Sequence, residues 1–338
     1  MQYPIEVSES MKAWRVHAYC EPDEMSFDEV PVPEPADEEV LVRNAAAGVN
    51  FFDRLWIQGK YQTKPAFPFT PGAEVSGRVE AVGAAVTEFS PGDCVMAKME
   101  MGGFAEYSVV PAYRVSPTPE GMDDATASGF LVVYQTSLFA LRERARLRPG
   151  EWLLVHAGAS GVGVAAIQLG KHFGAKVIAT AGSEEKLAFC RAQGADHVLS
   201  YQDPAWVGHV KEITSGLGAD VIYDPVGGDI FDLSTKCIAP GGRLLVVGFT
   251  SGRIPSVAAN RILLKNISIV GAFWGRHILE NETWIQTAQR ELNDLYTGGK
   301  IRPASPMTFP LEKAPEALQC IADRKVKGKI ALTIAPTI

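Results

Sequence analysis

The chemistry in this sequence begins at a glycine-rich turn. The apolar stretch WLLVHA (152–157) runs directly into Gly158, Ala159, Ser160, Gly161, Val162 and Gly163, and then into a helical segment. Glycine after a strand permits a tight turn, and bare backbone lets the N–H groups of the following helix approach a pyrophosphate. The usual spacing is G-x-G-x-x-G; here Ser160 takes the second glycine position, with Gly161 beside it. A strand before, a helix after and more strands downstream make this weak motif a dinucleotide site. An NAD site then needs a carboxylate at the tip of the second strand, about 20 residues past the turn. This chain instead has Ala181-Gly182-Ser183-Glu184-Glu185-Lys186. Ser183 and Lys186 suit a 2′-phosphate, so the expected cofactor is NADPH. Ser183 also suits a helix N-cap, and Lys186 a solvated surface charge. The turns at Gly248-Phe249 and Phe273-Trp274 should line the same crevice, the second of them near the nicotinamide.

The elements that must position this turn form two patterns. Residues 11 to about 125 read as short strands broken by turn signals, with Pro-Gly pairs at 71–72 and 91–92. From Glu151 onward, apolar strands (152–157, 175–180, 197–200, 220–224, 243–249 and 267–273) alternate with helical segments. Near-continuous apolar strands joined by helices indicate a parallel sheet covered on both faces, and six of them fit a doubly wound dinucleotide fold. The tail ends in GKIALTI, a strand expected to complete the first domain. The expected division is 11–132 with 274–338 for the β-rich domain and 133–273 for the inserted cofactor domain. Residues 1–10 are expected to be a mobile leader.

Composition excludes other classes. The 338 residues include 32 basic and 39 acidic side chains, a net charge of −7, whereas binding driven by phosphate neutralisation calls for a basic excess. Nucleic acid is therefore not the expected partner. The five cysteines form no C-x-x-C pair, so neither a disulfide framework nor a zinc knuckle is encoded, and a reducing cytoplasm is the expected location. The first ten residues lack the basic and apolar parts of a signal peptide. The charge-free stretch from Trp152 to Gly170 contains glycines, His156, Ser160 and Gln168, which suit a strand-turn-helix and not a membrane span.

Gly48-Val49-Asn50-x-x-Asp53, Pro71-Gly72-Ala73-Glu74-x-x-Gly77, Pro91-Gly92-Asp93-x-Val95, the 158–163 turn and Gly182-Ser183-x-x-Lys186 occur in this order. On these motifs the chain from Met11 to Ile338 resembles the zeta-crystallin and quinone oxidoreductase branch of the medium-chain dehydrogenase/reductase superfamily. The resemblance implies a GroES-like β-rich catalytic domain plus a Rossmann domain with a doubly wound six-stranded parallel sheet. It also implies NADPH as cofactor, with Lys186 and Tyr201 on the 2′-phosphate; a packing role for Tyr201 is the alternative. Zinc-dependent relatives carry a histidine where this chain has Ala73, and cysteines near Gly48–Asn50 and Ser128-Gly129, where it has none. Three protein ligands are needed for a catalytic zinc, so no metal is expected.

Without a Lewis acid, the acceptor should be one that takes hydride readily. The leading expectation is a quinone; the nearest rival is an enone or 2-enoyl thioester. A non-catalytic NADPH-binding protein, as lens crystallins of this family illustrate, is the reading from another class. Asn50, Asp53 and Tyr61, with Trp274, are the candidate substrate residues. Asn50 suits a nicotinamide ribose or substrate oxygen, and Asp53 suits a helix cap. Tyr61 reads equally as proton donor and as packing residue. Some relatives have a tyrosine where this chain has Leu55. The 267–273 strand, expected at a sheet edge, suggests a homodimer.

Overall fold

A computed structural model describes residues 9–335 of the chain. It divides into two compact units: one takes the chain through Leu131 and again from Ser305, the other is Val132–Ala304.

The first unit opens with the antiparallel pair β1 (Ser10–Arg15) and β2 (Ser26–Pro31). Strand β1 starts at Ser10, so the expected ten-residue leader loses that residue to the fold; residues 1–8 lie outside the described residues. Then come β3 (Glu39–Val49), α1 (Phe51–Ile57), β4 (Glu74–Val82), β5 (Cys94–Lys98), β6 (Tyr107–Pro111), β7 (Val115–Pro117) and α2 (Asp124–Ser128). Val40, Val42, Ala47, Val75, Val79, Val95 and Ala97 lie in its apolar core.

The second unit runs α3 (Leu131–Leu138), β8 (Trp152–Val155), α4 (Gly161–His172), β9 (Lys176–Ala181), α5 (Glu184–Ala192), β10 (His197–Ser200) and α6 (Trp206–Ile213). It continues through β11 (Ala219–Asp224), α7 (Gly228–Cys237), β12 (Ile238–Val246), α8 (Ala259–Lys265), β13 (Ser268–Gly271), α9 (Trp274–Glu280) and α10 (Glu282–Thr297). Its six strands pair in parallel in the order β10-β9-β8-β11-β12-β13. The chain reverses direction across the sheet between β8 and β11, the switch point where doubly wound folds bind ligands. The fifth strand differs from expectation: it spans 238–246, and Val247–Phe249 leave the ladder.

The chain returns to the first unit with β14 (Met307–Pro310), α11 (Ala314–Ala322) and β15 (Ile330–Thr333). Strand β15 pairs antiparallel with β3, giving the sheet order β14-β15-β3-β4-β5-β7 with β6 also on β3. The return comes later than expected, at 305 and not 274. Helix α10 buries Ile285, Ala288, Gln289 and Leu292, and Gln135 on α3 donates to Ile285 O (3.1 Å) and Gln289 Oε1 (3.0 Å). Gln168 on α4 clasps the backbone of Arg302 through both ends of its amide, at 2.8 and 2.9 Å. These buried amide hydrogen bonds tie 274–304 to α3 and α4 of the dinucleotide unit.

Candidate active site

In the second unit, β8 ends at Val155 and α4 starts at Gly161. Ser160 caps α4: its Oγ accepts from Gly163 N–H (3.2 Å) and donates to Ala157 O (2.7 Å). Ala157 takes a left-handed φ of +48°, a strain of about 1–2 kcal/mol for a non-glycine residue. The glycines are required by close approach. A Cβ on Gly163 would lie 2.2 Å from Ala157 O, and one on Gly158 would lie 2.9 Å from both Ala179 Cβ and Cys190 Sγ. Apart from Gly163 N–H, which Ser160 Oγ takes, no side chain among the described residues accepts from the amides at the start of α4, the arrangement a pyrophosphate requires. Ala159, Gly161 and Val162 lie on this same turn and first helical step.

Strand β9 ends at Ala181, Gly182 follows, and Ser183 caps α5 by accepting from Lys186 N–H (3.4 Å). No carboxylate stands at the strand tip. Glu184 and Glu185 lie in the first helical turn, where they complement the helix dipole. Tyr201 follows β10, and its oxygen accepts a short hydrogen bond from Ala157 N–H in the glycine turn. Burial pushes this phenol up to about 12. Accepting at the turn leaves the phenol its own proton to donate.

Beside the switch point, Asp224 Oδ1 accepts from Val226 N–H (2.7 Å) and Gly227 N–H (2.9 Å). The 247–251 loop folds onto this turn through Thr250 N–H to Pro225 O (3.1 Å) and Ser251 N–H to Val226 O (2.9 Å). Gly248 and Phe249 therefore stand at the carboxyl ends of the strands, with Phe249 against Gly227. Phe273 is 56% exposed whereas Trp274 is buried in α9.

In the first unit, Asn50, Asp53, Glu74 and Lys329 converge. Asp53 Oδ2 accepts from Asn50 N–H (2.7 Å), a cap on α1. Asn50 Nδ2 donates to Glu74 Oε1 (2.8 Å), and Lys329 Nζ donates to Glu74 Oε1 (2.7 Å), Asn50 Oδ1 (2.9 Å) and Val49 O (3.1 Å). Both ends of the Asn50 amide are thereby fixed. Burial lifts the Asp53 carboxyl to about 7 against the lowering effect of Asn50 N–H. Tyr61 packs edge-on to Trp56 (5.1 Å between centroids) and near Phe52 (5.9 Å). Burial, then the Asp53 carboxylate, raise its phenol, and its hydroxyl has no hydrogen-bond partner among the described residues. Sequence reasoning singled out Asn50, Asp53 and Tyr61 but missed Lys329, whose only signal is a charge at the start of GKIALTI.

This cluster does not fit zinc. Among the described residues no group of three or more His, Cys, Asp or Glu side chains is gathered for a metal. Ala73 supplies no donor, and the Lys329 ammonium already rests on Glu74, where a second cation would be repelled.

Comparison with known proteins gives two family models. The one described as "Alcohol dehydrogenase GroES-like domain" matches residues 36–120, and "Zinc-binding dehydrogenase" matches 161–292. The chain is 39% identical to a quinone oxidoreductase-like protein 2 homolog of Nematostella vectensis over 87% of this chain and 81% of that one. Among solved structures, a mycobacterial protein complexed with NADPH has a TM-score of 0.90 at 33% identity, covering 96% of this chain and 100% of that chain. Escherichia coli quinone oxidoreductase complexed with NADPH has a TM-score of 0.89 at 28% identity, covering 95% and 99%. Likeness at this level along nearly the whole length reaches beyond a shared fold: the chain belongs to the quinone oxidoreductase family of the medium-chain dehydrogenases/reductases.

Proposed function

We propose that this protein transfers hydride from NADPH to a quinone without the help of a metal. The observation that carries the reading is the Lys329–Glu74–Asn50 cluster, in which an ammonium occupies the carboxylate a metal site would need. With no Lewis acid to polarise an unactivated ketone, the acceptor must be electrophilic on its own account. NADPH fits the turn at 157–163 and the strand tip at Gly182–Lys186, where no carboxylate repels a 2′-phosphate; when bound, it supplies the hydride. The backbone N–H groups at the start of α4 hold the pyrophosphate, and Ser183 and Lys186 favour the 2′-phosphate. Phe52, Trp56 and Tyr61 offer aromatic rings to a planar acceptor. Tyr61, kept protonated by burial and by Asp53, donates to the acceptor oxygen, while Asn50 orients the acceptor or the nicotinamide ribose through its fixed amide.

The test is NADPH oxidation, followed at its near-ultraviolet absorbance, with a 1,4-naphthoquinone and a crotonyl-type thioester. The quinone should turn over much faster. Faster thioester reduction would assign carbon–carbon double-bond reduction instead, and tight NADPH binding without turnover would point to a non-catalytic role. We also propose a homodimer paired through residues 267–273. Strand β13 is a sheet edge, and Leu263, Leu264, Phe273 and Leu279 are exposed in the same part of the chain. Light scattering at micromolar concentration should give twice the chain mass. The five cysteines are free thiols, which suits a cytoplasmic location. No helix among the described residues is long and apolar enough to cross a membrane.

A further inference from the structure

The glycine turn is held on both sides by one residue of β11, the strand at the switch point. Tyr223 and Ser137 are each 0% exposed. The Tyr223 carbonyl accepts from His156 N–H (3.0 Å), just past the end of β8. Its hydroxyl lies 3.0 Å from Ser137 Oγ on α3, and Ser137 Oγ donates to Val162 O (3.1 Å) in the first turn of α4. The direction of these bonds follows from counting protons. A carbonyl only accepts, and a serine hydroxyl has a single proton. Ser137 gives that proton to Val162 O, so toward Tyr223 it can only accept, and the phenol must donate. The peptide from Val162 to Gly163 is thus held twice, at its oxygen by Ser137 and at its N–H by Ser160 Oγ (3.2 Å). Val164 N–H finds an acceptor in the helix itself, Ser160 O at 2.8 Å. Gly161 and Val162 N–H stand ahead of it at the open end of α4, where an anion binds.

We propose that Tyr223 and Ser137 form a buried relay, from phenol to serine to the Val162 carbonyl, that positions the first turn of α4 and with it the amides that hold the pyrophosphate. Both are positioning residues, since they act through Val162. Strand β11 thereby sets the gap between the end of β8 and the start of α4, which the left-handed Ala157 must help to bridge. Burial raises the Tyr223 phenol against the lowering effect of Ser137, so the donated proton stays in place at neutral pH. The relay also accounts for a buried serine in a helix whose other buried side chains include Val132, Val133 and Leu138: a buried hydroxyl is favourable only when it is hydrogen-bonded. A second link between the same two helices serves as a control. Tyr134 O–H donates to Gln168 Oε1 (2.8 Å) farther along α4, away from the glycine turn.

This inference rests on the dinucleotide reading of the turn, and unfolding and binding measurements separate the two. In the cofactor-free protein, Ser137→Ala leaves the buried Tyr223 proton without its acceptor, so adding Tyr223→Phe should raise the Tm of that variant. A double variant no more stable than Ser137→Ala would overturn the hydrogen-bond order whatever the protein binds. Binding is read from the fluorescence of NADPH and NADH. Ser137→Ala should weaken both by a similar factor, about fivefold. The double variant should bind no worse than Ser137→Ala, because the Tyr223 hydroxyl acts only through Ser137. Tyr134→Phe should lower Tm and leave both Kd values unchanged. Positioning by the relay is overturned by an unchanged Kd in Ser137→Ala, by losses that multiply in the double variant, or by a loss confined to NADPH. An equal loss in Tyr134→Phe overturns it too, since it would trace the effect to the stability of the helix pair. Failure of the wild-type protein to bind either dinucleotide would overturn the cofactor reading and the positioning role with it, while the Tm comparison still decides the hydrogen-bond order.

Discussion

Replacing Asp53 with Asn should remove a pH dependence that the fold builds into its first unit. Asp53 is 0% exposed; its Oδ2 takes the Asn50 N–H, and its Oδ1 has no partner among the described residues. Burial dominates, and the carboxyl moves from 3.8 to about 7. Between those values the folded chain holds a proton that the unfolded chain has lost, so stability falls as pH rises. The full contribution is present below about pH 4, declines by about 1.4 kcal/mol per pH unit, and is gone above about pH 7, a total of about 4 kcal/mol. Asn keeps the shape and an acceptor oxygen but cannot ionise. The variant should match the wild type near pH 4.5 and exceed it by about 3–4 kcal/mol near pH 8.5, raising Tm there by roughly 10 °C for a transition of this size. Thermal unfolding of both proteins across that range, followed by tryptophan fluorescence, measures the gap. A gap that stays constant with pH would refute the argument, and a variant that loses stability at high pH would show the native group to be the carboxylate.

Other substitutions test the remaining parts. Lys329→Met removes the ammonium from the Glu74 carboxylate, which is 1% exposed and keeps the Asn50 amide, and should cost about 3–5 kcal/mol by urea unfolding. Adding Glu74→Gln should recover part of that loss. Gly163→Ala forces a Cβ onto Ala157 O and should destabilise the second unit by about 1–3 kcal/mol, with a weaker Kd for NADPH in the same titration. Lys186→Ala should raise the KM for NADPH several-fold while leaving that for NADH nearly unchanged; equal effects in steady-state assays would remove Lys186 from the 2′-phosphate.

The parallel sheet was legible because β11 and its neighbours are apolar on both faces, a pattern that amphipathic strands do not produce. The Ser160 and Ser183 caps were legible as local signals, and so was the carboxylate cap in Asn50-x-x-Asp53. Long-range polar links were not. Lys329 reaches Asn50 across 279 residues, and no periodicity points to it. The late return to the first unit was hidden for the same reason. The pattern of α10 shows an apolar face but not which sheet that face covers, and the decision rests on Gln135 and Gln168, two amides with no special spacing. Tyr201 was legible at the end of a strand, yet the partner of its oxygen, Ala157 N–H, lies in the turn after a different strand, 44 residues away.

The pairing of β15 with β3 has a consequence for synthesis on the ribosome. Strand β3 and the Asn50–Glu74 pair emerge early, but their closing strand and the Lys329 ammonium emerge only after the whole second unit has been made. Until then Glu74 lacks its cation and the edge of β3 that β15 covers stands open, a surface prone to pairing with other chains. The dinucleotide unit has all its strands contiguous in sequence and can complete its sheet first, since domains generally fold as units during translation. The order of folding therefore runs opposite to the order of the chain, with the nascent first unit as the aggregation-sensitive species. Brief retention by a holdase, or early availability of NADPH to the finished second unit, should raise the yield of native protein.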